Sequence, residues 1–283
     1  AEAVPYATVG QAVAAVRSGE IEAALVPIEN SVEGGVSATL DILASGRRLV
    51  ITKEVLLPVQ FNLYARPGTT ADQVRRVLTH PHSAAQTRGW MASNLPEAVV
   101  TEGGSNAASA QEVADPESRY DAAICGQIAG EMYGLVPVAT EIADNASAVT
   151  RFVLVSRPTE PTQPTGADKT TLVAYMHTDR AGALLEILDQ FSNRGVSLSR
   201  IESRPTKTGL GNYCFSIDAE GHMREPRLAE AMLGLHRICA EVVFLGSYPR
   251  ADGKRTQVAS GFTDADFAAA REWYATLVHP EDD

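Results

Sequence analysis

Val9, Ala12, Val13 and Val16 recur with the spacing of one helix face, Thr8 and Gln11 have the form of a capping box, and Gly19 supplies a stop. Residues 22–28 (EAALVPI) are nearly all apolar, the pattern of a strand covered on both faces. A helix is expected over 36–44 and a strand over 49–57. Residues 60–65 (QFNLYA) alternate as a half-exposed strand does. After Pro67 and Gly68, helix and strand follow each other at 71–76 and 77–79, 83–94 and 98–101, and 106–114 and 121–125. A helix over 127–133 and a strand over 151–156 close the series. This alternation with short connections predicts an α/β architecture with a mostly parallel sheet.

Residues 158–169 are rich in proline and threonine, carry a glycine and show no periodicity, so they read as a stiff linker between domains at 1–157 and 170–250. The second domain orders as strand 170–178, helix 182–194, strand 198–205, strand 212–219, helix 225–238 and strand 241–248, a ferredoxin-like βαββαβ unit. The tail, 251–283, ends in a helix capped by Thr263 and Asp266, with Phe267, Ala270, Tyr274 and Leu277 on one face.

Composition narrows the function. With 283 residues, 45% of them hydrophobic, the chain is long enough for about two cored domains. A net charge of −11 repels phosphate backbones and anionic lipid, so neither nucleic acid nor a membrane surface is an expected partner. No apolar run reaches the ~18 residues of a membrane span, and the first residues lack the basic and apolar regions of a leader. Cys125, Cys214 and Cys239 are odd in number and sit in apolar runs, so they read as reduced core thiols and point to the cytoplasm.

Three polar clusters interrupt strand ends, where open α/β sheets bind ligands. In Pro27-Ile28-Glu29-Asn30-Ser31-Val32-Glu33-Gly34-Gly35 a buried strand stops at Glu-Asn-Ser before two glycines; a turn with Ser31 as a helix cap is the plain alternative. Thr79-His80-Pro81-His82-Ser83-Ala84-Ala85-Gln86 runs from a strand into a helix start, which favours an anion; His80 and His82 have metal-like spacing without a third ligand, so no metal is expected. Thr150-Arg151-Phe152 offers a hydroxyl and a guanidinium on alternating sides of a strand, or simply a β-branched residue beside a surface ion pair.

PIENSVEGGV, THPHSAAQ and TRFVLV, in that order and followed by GALLEIL and IESRP, resemble the prephenate dehydratase family with its C-terminal ACT regulatory domain. The resemblance runs from about residue 8 to 249. It implies a catalytic domain of two-lobed, periplasmic-binding-protein-like fold, with the active site in the cleft between the lobes. It implies loss of water and carbon dioxide from prephenate to give phenylpyruvate in phenylalanine biosynthesis, without metal or organic cofactor. Carried over by motif, Thr150 protonates or hydrogen-bonds the departing ring hydroxyl, and Arg151 holds an anion or orders the site. Glu29, Asn30 and Ser31 line the cleft, Phe152 follows in the substrate-binding TRF segment, and Thr79 and Gln86 belong to the second motif. The chain departs from the family at Ala148, where many members have Asn, and an N-terminal strand with a Gly-rich turn is expected ahead of residue 1. Arogenate stays open as a second substrate.

Asp179 to Leu185 form a strand-to-helix turn, and Glu202, Ser203, Arg204 and Pro205 end the next strand; helix entry and an edge-strand proline are the plain reading. By resemblance, L-phenylalanine lies between Gly182, Ala183, Leu184 and Leu185 of one chain and residues 202–205 of its partner. A homodimer or homotetramer through the ACT domains follows from that reading and from the exposed edges of a lone βαββαβ unit. Deleting residues 168–283 is then expected to abolish phenylalanine inhibition and leave some activity. The rival reading is a non-catalytic amino-acid sensor, which has no need of Thr150 or Gln86.

Overall fold

The computed structural model describes residues 2–32, 34–145, 147–178, 180–206 and 213–278. Glu33, Asp179 and Asn212, where the second-last strand is expected to begin, lie outside the described residues. The chain opens with α1 (Val9–Ser18), β1 (Ala23–Asn30), β2 (Gly34–Gly35), α2 (Ser37–Ala44) and β3 (Val50–Pro58). There follow β4 (Asn62–Ala65), β5 (Arg76–Thr79), α3 (Pro81–Gln86), α4 (Arg88–Asn94), β6 (Val99–Glu102), α5 (Asn106–Ala114), β7 (Ala122–Cys125), α6 (Gln127–Met132) and β8 (Val136–Ala139). The last elements are β9 (Val149–Ser156), β10 (Asp168–Tyr175), α7 (Ala183–Ser192), β11 (Leu198–Pro205), β12 (Tyr213–Glu220), α8 (Pro226–Ile238), β13 (Glu241–Pro249) and α9 (Asp264–Val278). They form two compact units, one of Ala1–Leu56 with Arg151–Asp283 and one of Leu57–Thr150.

In the first unit, Thr8 Oγ1 accepts the Gln11 N–H at 3.2 Å to start α1, and Gly19, at φ +88°, ends it. The sheet β2-β1-β9-β3 follows. β1 buries Ala24, Val26 and Ile28 but leaves Leu25 49% exposed, so it is covered on one face rather than both. The C-terminal sheet runs β11-β12-β10-β13, antiparallel throughout, the ferredoxin-like order. On one face Leu172, Phe215 and Ile217 pack with Ile187 and Phe191 of α7 and Leu228 and Leu235 of α8. On the other, Val173, Cys214, Leu245 and Tyr248 share a single core with Val26, Ile51, Val153 and Val155. The C-terminal sheet therefore forms one side of the core beneath β1, β3 and β9. At Gly246, φ +140°, an added Cβ would lie 2.3 Å from the Ile51 carbonyl oxygen, so the two sheets meet backbone to backbone.

The proline-rich segment is fastened along its length. Arg157 Nη1 donates to the Val16 and Ile21 carbonyls at 2.7 and 3.0 Å, and Thr162 Oγ1 donates to the Ser247 carbonyl at 2.9 Å. α9 begins at the expected cap, with the Asp266 N–H donating to Thr263 Oγ1 at 3.2 Å. Its Trp273, Tyr274 and Leu277 are exposed.

The second unit carries the sheet β6-β5-β7-β4-β8. β5 is parallel to β6 and β7, whereas β4 is antiparallel to β7 and β8. The sheet is mixed, not mostly parallel, because antiparallel neighbours need no crossover helix. β4 is wholly buried, contrary to its alternation, since it lies inside the sheet; buried Asn62 is satisfied by accepting the Glu141 N–H at 2.8 Å. The helix expected at 71–76 is only a 3₁₀ turn, Ala71–Gln73, because the Asp121 carboxylate takes the Arg75 and Arg76 N–H groups at the start of β5. The helix expected over 83–94 breaks at Thr87. There Asp144 accepts the Gly89 and Trp90 N–H groups at 2.8 and 2.9 Å and caps a second helix. β8 (VPVA) escaped the sequence pattern; its proline is tolerated at the edge of the sheet.

Candidate active site

The Glu29-Asn30-Ser31 segment is a hairpin turn. β1 ends in it, pairing Glu29 with Gly35 and Asn30 with Gly34. Asn30 Oδ1 accepts the Val32 N–H at 2.9 Å and closes the turn. α2 starts only at Ser37, so Ser31 caps no helix. Gly35 is needed for close approach: an added Cβ would lie 1.9 Å from Glu202 Oε2, on the regulatory strand β11.

In the second motif, Thr79 is fully buried and its hydroxyl donates to the Ile124 carbonyl at 2.8 Å. That bond ties the end of β5 to β7. Asn106 Oδ1 gathers the same loop, accepting the Ser83 hydroxyl at 2.9 Å and the His80 N–H at 3.2 Å. His80 Nδ1 accepts the His82 N–H as the cap of α3. Gln86, the last residue of α3, is buried. Among the described residues, no group of three or more His, Cys, Asp or Glu is placed to hold a metal ion.

β9 carries the third motif. Its burial alternates, so Arg151, Val153 and Val155 are buried while Thr150 and Phe152 are partly exposed. The Arg151 guanidinium donates to four side chains. Nε donates to Glu54 at 2.7 Å, Nη1 to Glu29 at 3.0 Å and to Asp218, and Nη2 to the Tyr248 hydroxyl at 2.8 Å. Asp218 also accepts Arg200 Nε at 2.9 Å and the Thr171 hydroxyl at 2.7 Å, and Lys169 completes the Glu54 side at 3.0 Å. Burial alone would raise the Asp218 carboxyl, but Arg200 and Arg151 hold it below the usual carboxylate range. Burial pushes the Tyr248 phenol up, with Arg151 opposing. Four of the five guanidinium N–H groups thus serve protein acceptors, an arrangement suited to the second role expected for Arg151, ordering the site.

The regulatory segments divide by strand alternation. Gly182, at φ +85°, caps α7, and with Ala183, Leu184, Leu185, Met176 and Phe215 it borders a cavity of about 350 Å³. Leu184 and Leu185 are exposed at its rim. On β11, Ser203 and Pro205 are exposed. Glu202 and Arg204 turn inward instead: Arg204 donates to Ser37 at 2.6 Å and Asp41 at 3.3 Å, and Glu202 pairs with Arg200. The side chains of those two are bound within their own chain.

Residues 1–160 match the family model described as prephenate dehydratase, and residues 170–237 match the ACT domain. A prephenate dehydratase of Amycolatopsis methanolica is 45% identical over 281 residues, covering 99% of this chain and 91% of that one. The chain belongs to the prephenate dehydratase family. A solved prephenate dehydratase from Arthrobacter aurescens, in complex with L-Phe, is 51% identical with a TM-score of 0.92, covering 97% of this chain and 90% of that one. A further solved relative, described as GqqA, a novel type of quorum quenching acylase, is 30% identical with a TM-score of 0.76 and covers 87% of this chain and 88% of that one. The fold alone thus does not specify the reaction; the family match and the nearer sequences make this chain a lyase. Sequence reasoning missed Asn106, Glu54, Asp218 and Tyr248. A signal existed for two of them: Glu54 leads directly into the apolar Val55-Leu56-Leu57, and Asp218 sits between Ile217 and Ala219, so each is an acid set against apolar neighbours in a strand run.

Proposed function

We propose that this chain converts prephenate to phenylpyruvate with Thr150 as the proton donor to the departing hydroxyl. Breaking the bond to the ring carboxylate releases carbon dioxide and leaves its electron pair in the ring. The ring aromatises as the C–O bond breaks, and hydroxide takes a proton from the Thr150 hydroxyl, refilled from solvent, to leave as water. Aromatisation supplies the driving force, so orientation and help for the leaving group are what catalysis requires. Asn30, Ser31, Gln86 and Phe152 contact the substrate in this reading, while Glu29, Arg151 and Thr79 hold those segments in place. The observation that carries it is the partly exposed Thr150 on a strand whose next residue is locked by four acceptors. The test is turnover: full-length protein given prephenate, without added metal, yields phenylpyruvate absorbance in alkali. Prephenate binding without product returns the chain to the amino-acid sensor.

L-Phenylalanine is the proposed effector, in the cavity at Gly182 to Leu185, with its carboxylate on N–H groups at the start of α7 and its ring against Leu184. β11 ends its sheet, and edge pairing supports a homodimer or homotetramer in which the exposed Ser203 and Pro205 come from the partner. Three buried free thiols fit the cytoplasm. Among the described residues no helix is long and apolar enough to cross a membrane.

A further inference from the structure

We propose that Asp218, on the regulatory strand β12, is a positioning residue of the dehydratase site, acting through Arg151 on both Thr150 and Glu29. This rests on the reading of the TRF and ENS segments as that site. The geometry is direct. Asp218 is fully buried, and one of its oxygens accepts from Arg151 Nη1, the nitrogen that also donates to Glu29 Oε2 at 3.0 Å. Arg151 is the neighbour of Thr150 on β9, so a shift of the guanidinium moves the strand segment that presents the hydroxyl. Glu29 precedes Asn30 in the hairpin, so the same guanidinium sets the pitch of the ENS turn.

Besides Arg151, two groups of the regulatory domain clamp Asp218. Arg200 on β11 reaches it at 2.9 Å and Thr171 on β10 at 2.7 Å. Arg200 also donates to Glu202, whose carboxylate lies against Gly35 at the other end of the hairpin. A buried carboxylate cannot turn to water when its partner moves, so movement in the regulatory sheet must be answered by Arg151. The regulatory domain therefore contributes a part of the site rather than merely covering it. The coupling between effector and site then passes through one carboxylate.

The test uses the full-length protein carrying Asp218→Asn, which keeps the shape and removes the charge. Expected are a kcat at least ten-fold lower, a KM for prephenate within about three-fold of the parent, and L-phenylalanine binding by calorimetry within about three-fold. Val173→Ala serves as the control: it opens the same core but touches none of these charges. It should lower the melting temperature and leave kcat within two-fold. Should Asp218→Asn not fold, Tyr248→Phe decides, since it removes only the hydroxyl that accepts from Arg151 Nη2; a kcat at least three-fold lower is expected. A folded Asp218→Asn, or failing that a folded Tyr248→Phe, with kcat inside two-fold of the parent overturns the proposal. So does an equal kcat loss in Val173→Ala, which would make the effect general loosening. Failure of the dehydratase reading shows separately, as a parent protein that does not turn prephenate over.

Discussion

Thr150 and Arg151 are neighbours with opposite duties, because strand alternation sends one side chain to the partly exposed face and the other into the charged layer. Removing the hydroxyl in Thr150→Ala should cost about 10²–10⁴-fold in kcat with little change in KM, as for a lost general acid. Thr150→Ser should keep much of the rate; steady-state kinetics on both variants checks this. Asp218 carries a pH prediction. Its carboxyl is held low in the folded chain, so it stabilises fully above its unfolded value of about 3.9 and progressively less as pH falls through the lower folded value. The urea midpoint should fall on acidification from pH 5 to pH 2.5, and fall less steeply in Asp218→Asn. Cys125 gives a third test at this scale. Burial pushes its thiol up to about 11, so it should resist alkylation at pH 8 until the chain unfolds, as mass spectrometry of native and denatured protein would show.

At the scale of elements, two glycines separate rigid from yielding contacts. At Gly246 the obstacle is the Ile51 backbone, and φ +140° is itself unfavourable for other residues. Gly246→Ala should therefore carry both strain and overpacking, each about 1–3 kcal/mol, and lower the urea midpoint sharply. At Gly35 the obstacle is the end of the Glu202 side chain, which can swing aside. Gly35→Ala should cost much less stability, and its effect should appear in the response to phenylalanine once Glu202 is displaced from Arg200. Denaturant titration of the pair, with inhibition curves, distinguishes the cases. The helices tell a related story. α1 and α5 were legible because cap, apolar face and stop are all local. The single helix expected over 83–94 is two because Asp144, distant in sequence, starts a new helix inside it.

For the whole molecule, the two-domain reading of the sequence implied that the regulatory part is removable. The shared core argues otherwise. Cutting away residues 168–283 would strip Val173, Cys214, Leu245 and Tyr248 from the cluster around Val26, Ile51 and Val153. It would also take Lys169 from Glu54, and Asp218 and Tyr248 from Arg151. Exposed apolar surface and uncompensated charge each cost several kcal/mol, comparable to the ~5–15 kcal/mol by which folded proteins are stable. The fragment is expected to lack a cooperative thermal transition and to be inactive. A fragment that melts cooperatively and turns over prephenate would show that the interface is dispensable.

The sequence by itself determined what depends on neighbours along the chain: the α/β rhythm, the βαββαβ order, the caps at Thr8 and Thr263, and the ordered motifs that carry the family resemblance. Those signals are local periodicity and short-range chemistry. The tertiary structure alone decided what depends on distant partners. It put β4 inside its sheet, split a helix at Thr87, tied the Thr79 hydroxyl to Ile124 and made Arg151 the hub of a buried charge layer. It also joined the regulatory sheet to the catalytic strands in one core. A polar residue in a strand reads alike whether it faces solvent, substrate or a buried counter-charge, because only the fold sets the dielectric and the partner around it.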